Sequence, residues 1–407
     1  MTILAHRGTL VSFARAARKA VGHARAAAAA MALGALAACN VAVPGGATLG
    51  SGTGGEGVRS EGPTKIGLLV PYGSSRGSDG VVAQSLENAA RLAAADLGGS
   101  VAIEVYPTQG TPGGASAAAN QAVAAGAQVL LGPLYADNAA AAGVAVAGSG
   151  VPVLSFSNNT GIAGGNVWVL GNTFENTARR LLRFAASQGR NRVLVTHAAD
   201  QTGQVAERAI SRAASGTGAQ ITGAVPYELS QTGIAAAVPA IASQARASSS
   251  NAVFLTGNTA GDLPVISQLL SEAGIGGEQY RYLGLTRWDI PAEALQLPGL
   301  QGGFFALPDP GPATQFRARY AGAYGAGPHP LAGLAYDGVA AVGTIASRGG
   351  TVGRDTLTAR GGFAGTGGVF RLRGDGTIDR ALAVAQVVNR SAQVVSPAPN
   401  SFGGAGS

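Results

Sequence analysis

From Lys65 onward, short unbroken apolar runs alternate with helical patterns, and that alternation leaves few folds open to the chain. Lys65-Ile-Gly-Leu-Leu-Val70 is an apolar run stopped by Pro71. The segment Tyr72 to Gly80 reads as a loop, and Val81 to Leu97 as a helix with apolar positions at Val82, Leu86, Ala89, Ala90 and Ala93. A strand (Val101 to Tyr106), a helix (Ala115 to Ala125), a strand (Val129 to Leu131), a helix (Ala136 to Ala147) and a strand (Val151 to Phe156) follow. Strands that are apolar throughout are buried on both faces, so the pattern predicts a parallel sheet covered by helices on both sides.

The pattern then restarts. Asn172 to Gln188, Gln204 to Ser215, Ile234 to Ala247 and Leu263 to Ala273 read as helices. Between and after them, Arg192 to Thr196, Gln220 to Tyr227, Ala252 to Thr256 and Tyr280 to Leu285 read as strands. A weak internal likeness joins Gly126-Ala-Gln-Val-Leu-Leu-Gly132 to Ser250-Asn-Ala-Val-Phe-Leu-Thr-Gly257. Two α/β lobes of similar build are the economical reading. In such sheets a ligand sits beyond the carboxyl ends of the strands, here the loops opened by Pro71, Gly132, Ser155, His197 and Gly257.

Those loops supply the candidate ligand-binding residues. Ser74 and Ser75, beside Arg76, occupy the first. Pro133, Leu134 and Tyr135 lead into a helix whose first turn offers free backbone N–H groups to an anion. Ser155, Phe156, Ser157, Asn158 and Asn159 follow the next strand, and Thr202 and Asn258 are their counterparts in the second half. Together they predict a neutral, hydrogen-bonding pocket with room for one apolar face. The same residue types also cap helices and make turns, in which case Phe156 and Tyr135 belong to the core.

Nothing in the chain points to catalysis. His197 and Asp200 lie near one another, but no nucleophile elbow and no second cysteine accompany them. His329 sits between Pro328 and Pro330 and reads as a loop residue. The remaining histidines and carboxylates lack metal-ligand spacing, so neither a metal nor a cofactor is expected. Gly361 to Gly368 is glycine-rich but lacks a Gly-Lys-Ser/Thr end, and reads as a turn.

The first 38 residues are of another kind. Arg7, Arg15, Arg18, Lys19 and Arg25, with no acid among them, precede the apolar run Ala26 to Ala38, which describes a secretory signal. The net charge of +7 falls to +2 once those five basic residues are set aside, so nucleic acid is a poor partner. Cys39 is the only cysteine, which excludes an internal disulfide. Residues 39 to 63 read as a flexible tether with an r.m.s. reach of roughly 25 Å, and residues 396 to 407 as a disordered tail. Leu36-Ala-Ala-Cys39 resembles the bacterial lipobox, which implies acylation of Cys39 and attachment to a membrane. Asn40 stands where an inner-membrane retention signal places Asp, which implies the periplasmic side of the outer membrane.

The order of the motifs resembles the type I periplasmic binding proteins, the extracellular ligand-binding receptors of the leucine-binding-protein kind. They are Lys65-Ile-Gly-Leu-Leu-Val-Pro71, Ala127 to Pro133, Val151 to Ser157, Ala335-Tyr-Asp-Gly338, and Phe370 to Gly374 followed by Arg380 to Val388. The resemblance implies two doubly wound α/β lobes joined by a three-segment hinge. It places lobe one at residues 64–170 with 307–349, and lobe two at 171–306 with 350–395. Within the family, the run Pro152 to Asn158, then Ala163 to Trp168 and Leu170 to Asn176, is similar to the penicillin-binding protein activators. That likeness implies a lipoprotein that regulates a peptidoglycan synthase by binding, without catalysis. The alternative is a receptor that delivers an amino acid, amide or other small polar solute to the permease of an ABC-type importer.

Overall fold

The computed structural model describes residues 62–402. The leader, Cys39 and the tether up to residue 61 lie outside the described residues, as do residues 403–407. The first sheet contains β1 (Thr64–Val70), β2 (Val101–Pro107), β3 (Val129–Leu131), β4 (Val153–Ser155) and β5 (Val167–Val169). Their order is β2-β1-β3-β4-β5 and every pairing is parallel. The helices between them are α1 (Asp79–Asp96), α2 (Pro112–Ala124) and α3 (Ala136–Ala145). Val82, Leu86, Ala89, Ala90 and Ala93 of α1 are all buried, one stripe of the helix facing the core. On the opposite face, alanines of α2 and α3 pack over Leu69, Leu130 and Val153. β5 has no counterpart among the strands expected from the sequence. Only three residues long, it is set off by the positive-φ pair Gly164 and Gly165.

The second sheet contains β6 (Arg192–Ala198), β7 (Gln220–Tyr227), β8 (Ala252–Leu255), β9 (Arg281–Gly284) and β10 (Phe304–Pro308). Helices α4 (Phe174–Ser187), α5 (Gln201–Ala213), α6 (Gln231–Ala247) and α7 (Leu263–Glu272) cover it. Then α8 (Pro310–Tyr324), α9 (Ala332–Ser347) and α10 (Arg354–Leu357) return to the first lobe, with Tyr320, Val339 and Leu357 in its core. A small antiparallel sheet follows, built of β11 (Phe363–Gly365), β12 (Gly368–Leu372) and β13 (Ile378–Arg380). Two last strands, β14 (Leu382–Val388) and β15 (Ser391–Ser396), complete the second sheet in the order β15-β14-β10-β9-β8-β6-β7. β14 pairs antiparallel with β10 and β15, so this sheet is mixed rather than wholly parallel.

Three expectations are corrected. The segment Gly361 to Gly368, read as a turn, contains β11, whose Phe363 packs against Phe370 with ring centroids 5.6 Å apart. The last crossing between lobes, expected near Gly350, comes at Arg380–Ala381 instead. Leu357, Phe363, Phe370, Leu372 and Ile378 all lie in the first lobe's core, whereas Ala381 and Ala383 lie in the second's. The tail expected to be disordered from Ser396 is packed as far as Phe402. Ala398 is buried, and Phe402 lies 4.8 Å beneath the Arg371 guanidinium.

Helix ends are held by side chains that accept backbone N–H bonds. Thr111, Thr173, Asp200, Ser230 and Asp309 cap α2, α4, α5, α6 and α8, each contributing about 1 kcal/mol. Between α8 and α9, the His329 N–H donates to Ser85 Oγ, and His329 Nδ1 accepts from the Leu331 N–H. Burial pushes the His329 imidazole below its ordinary value of 6.5. A depressed histidine gives stability that is fully present above about 6.5 and is lost as pH falls. Unfolding free energy is therefore expected to decrease between pH 7 and 5. His329→Gln should remove that part of the slope, and identical slopes in urea titrations of the two proteins would refute it.

Candidate ligand-binding site

The carboxyl ends of both sheets carry the loops that could hold a solute. In the first lobe, Gly132 turns the chain out of β3 at φ +93°, where a Cβ would stand 2.1 Å from the Leu69 carbonyl oxygen. The chain then enters α3 through Pro133, Leu134 and Tyr135. The Pro133 carbonyl accepts two bonds, from the Phe156 N–H and from Ser155 Oγ, both at 3.0 Å. Ser155 Oγ in turn accepts from the Ser157 N–H at 3.1 Å. Ser157 Oγ accepts from the Asn159 N–H at 3.1 Å, and Asn159 Oδ1 from the Gly161 N–H at 2.9 Å. This ladder commits Ser155 Oγ, Ser157 Oγ and Asn159 Oδ1 to the loop itself. Phe156 is 2% exposed and sits in the first lobe's core, not on a cleft wall. Of that run only Asn158 leaves an exposed side chain with no such role.

The Tyr135 hydroxyl donates to Asp79 Oδ1 at 2.5 Å, and the exposed Arg76 guanidinium lies 4.2 Å over its ring. Burial, and then the bond to Asp79, push the phenol above its ordinary value, so it remains a donor. Asp79 is buried in the first turn of α1, with Oδ2 lacking a hydrogen-bond partner among the described residues. Ser74 Oγ accepts from the Arg76 N–H and shapes the same loop, while Ser75 is exposed. Leu134 is half-buried against the first core. Tyr135, Ser74 and Ser75 therefore share one lip with Arg76.

In the second lobe a cavity of about 490 Å³ opens between the β7–α6 and β8–α7 loops. Leu229, Ile234 and Val265 give it apolar wall, and Ser230, Asn258 and Asp262 give it polar groups. Asp262 is fixed from two sides: the Asn258 N–H donates to Oδ1 at 2.8 Å and the Tyr227 hydroxyl donates to Oδ2. Asn258 Oδ1 accepts from the Ala260 N–H, so its side chain also shapes the loop. Thr202 is exposed in the first turn of α5 and does not line this cavity. Leu229, Ile234, Val265 and Asp262 were not among the candidates. Their only sequence signal, apolar residues and an Asp around helix starts, is shared by helices that bind nothing.

His197 and Asp200 do not form a catalytic pair. His197 is buried with Nδ1 2.8 Å from the Ala198 carbonyl oxygen, and Asp200 caps α5 through the Gly203 N–H. Among the described residues there is no group of three or more His, Cys, Asp or Glu that could hold a metal. No described helix is long and apolar enough to cross a membrane.

Residues 63–392 match the family described as Periplasmic binding protein. The chain belongs to that family. Its fold is the type I architecture of two α/β lobes, and the family binds rather than catalyses. No curated protein sequence matches. Among solved structures, a branched-chain amino acid ABC transporter protein from Rhodospirillum rubrum superposes with a TM-score of 0.68 at 19% identity, covering 82% of this chain and all of that one. A periplasmic ligand-binding protein of a branched-chain amino acid ABC transporter from Burkholderia xenovorans gives 0.64 at 16%, covering 84% and 97%. A solute-binding protein from R. palustris in complex with benzoate gives 0.53 at 16%, covering 83% and 98%.

These matches correct the functional expectation. Similar structures described as ABC-transporter binding proteins and as a leucine binding protein overturn the likeness to penicillin-binding protein activators. Regulation of a peptidoglycan synthase, and a penicillin-binding protein as partner, fall with it. Within the first of the runs that carried that likeness, Pro152 to Asn158, the stretch Phe156-Ser-Asn158 makes core and turn.

Proposed function

We propose that this protein is the solute receptor of an ABC-type importer, taking one small molecule between its lobes and presenting it to a membrane permease. The observation that carries the reading is the cavity at the carboxyl end of the second sheet, with Leu229, Ile234 and Val265 beside Asn258 and Asp262. Open to solvent and lined from the second lobe alone, this cavity offers one wall of a site for an amino acid, amide or small aromatic acid. Relatives of the same fold include proteins described with branched-chain amino acid transporters and with bound benzoate or 4-hydroxybenzoate. Ser74, Ser75, Tyr135 and Asn158 supply the first-lobe contacts and Asn258 those of the second, with Thr202 at the margin.

A thermal-shift screen of amino acids, small amides and aromatic acids tests this. A solute at 100 times its dissociation constant stabilises the folded state by about 2.7 kcal/mol, a shift large enough to read. Silence across all three classes would overturn the receptor reading.

Cys39 is proposed as the point of lipid attachment, with the domain on the periplasmic side. Intact mass of the membrane fraction should show an acyl increment that is lost in Cys39→Ala. An unmodified Cys39 would refute it. A receptor serving an inner-membrane permease should fractionate with that membrane, against the outer-membrane expectation drawn from Asn40.

A further inference from the structure

Three chain segments cross between the lobes, near Leu170, Pro308 and Arg380, and a buried Arg380–Asp337 pair ties them together, the first and third through the guanidinium and the second through the 366–367 backbone. The Arg380 side chain turns back into the first lobe, where Nε and Nη2 donate to the Leu170 carbonyl at 3.0 and 2.8 Å. Its Nη1 donates to Asp337 Oδ2 at 2.6 Å, and its guanidinium lies 5.0 Å over the Phe370 ring. Asp337, on α9, is 1% exposed and the Arg380 side chain 11%. The other carboxylate oxygen accepts from the Thr366 N–H at 2.6 Å. One residue further, the Gly367 carbonyl accepts from the N–H of Asp309, in the second crossing, at 2.9 Å. The Arg380 main chain faces the other way. Its N–H donates to Asn176 Oδ1 at 3.2 Å and its carbonyl accepts from Asn176 Nδ2 at 3.1 Å, both on α4 of the second lobe.

We propose that Arg380 and Asp337 are the positioning residues of the hinge, locking the three crossings into one rigid pivot so that the lobes turn only beyond it. An apolar contact would fill the same space without fixing direction. Here every hydrogen bond of the guanidinium and carboxylate has a set angle, and Leu170, Asp309 and Arg380 are held against one frame. A two-lobed receptor binds most tightly when its competent arrangement is well populated, and a loose pivot lowers that population and the apparent affinity with it. The pivot acts whichever solute the cleft accepts, so it stands or falls separately from the choice of ligand.

The test is a distance distribution between spin labels on Val81→Cys, in α1, and Val205→Cys, in α5, measured by pulsed dipolar spectroscopy on the full chain carrying Cys39→Ser. Both positions are exposed, at 68% and 40%. Asp337→Asn and Arg380→Gln are each expected to broaden the inter-lobe distribution about twofold. Ile241→Ala, which opens the second core away from the hinge, should lower the melting temperature and leave the width unchanged. Asn176→Ala keeps the buried pair and removes only the second-lobe grip, so it serves if a pair variant does not fold, and it too should broaden the distribution. An unaltered width in folded Asp337→Asn, Arg380→Gln or Asn176→Ala protein overturns the proposal. Equal broadening by Ile241→Ala, which would assign the effect to general destabilisation, overturns it as well.

Discussion

Phe156→Ala is expected to lower the unfolding free energy by about 3–5 kcal/mol while leaving solute affinity unchanged. The ring is 2% exposed in the first lobe's core, and its Cε2 would be 3.2 Å from a Cβ at Gly132, so it is packed against the turn out of β3. Removing it leaves a hole that the neighbouring β-strands cannot close, because β3 and β4 are hydrogen-bonded on both sides. Asn159→Ala is the contrasting variant. It loses one capping bond to Gly161, worth about 1 kcal/mol. Denaturant titration separates the two sizes of effect. A Phe156→Ala protein of native stability with weakened solute binding would return the ring to the cleft wall.

Much of the fold was legible from periodicity, and Phe156 shows where legibility stops. The alternation of apolar runs with helical stripes depends on short-range spacing, and it foretells the α1 stripe at Val82, Leu86, Ala89, Ala90 and Ala93 residue by residue. Direction at the end of a strand does not follow from spacing. Ser155, Phe156 and Ser157 are all buried at the end of β4, and what each one meets depends on the neighbouring β3 turn. Serine and asparagine in a loop look alike whether they wait for a ligand or satisfy their own backbone, and here three of the four between 155 and 159 do the latter.

The second-lobe cavity was illegible for a different reason. Leu229 and Ile234 meet Asn258, Asp262 and Val265 only because β7 and β8 end on the same side of the sheet. The displaced third crossing has the same origin. Phe363, Phe370, Leu372 and Ile378 announce a hairpin with a buried face, but nothing local says which lobe the face covers. The functional expectation failed where it leaned on such a local run. Phe156 to Asn158 carries loop architecture, which says nothing of a protein partner, whereas the motif order across residues 63–392 carries the family.

Trp288→Ala is expected to cost about 3–5 kcal/mol and, unlike Phe156→Ala, to weaken solute binding as well. The indole is wholly buried in the second lobe, 5.8 Å from the Phe305 ring. It fills a slot made by two glycines, since a Cβ at Gly284 or Gly303 would come within 2.3 or 2.6 Å of its ring. The loop it anchors holds the cavity wall: Thr286 Oγ1 donates to the Gly257 carbonyl at 3.0 Å, and Thr259 Oγ1 to the Ile290 carbonyl at 2.9 Å. Asn258 lies between those two bonds, so a slack 286–290 segment leaves its loop without support. Gly284→Ala alone should cost about 1–3 kcal/mol by overpacking. Combined with Trp288→Ala it should cost almost nothing further, because the atoms it strikes are gone. A double-mutant cycle by denaturant titration reads that coupling directly. Additive losses would mean that Gly284 is required for its backbone and not for the space it leaves to the indole. Native solute affinity in Trp288→Ala would show that the 257–259 loop keeps its shape without this support.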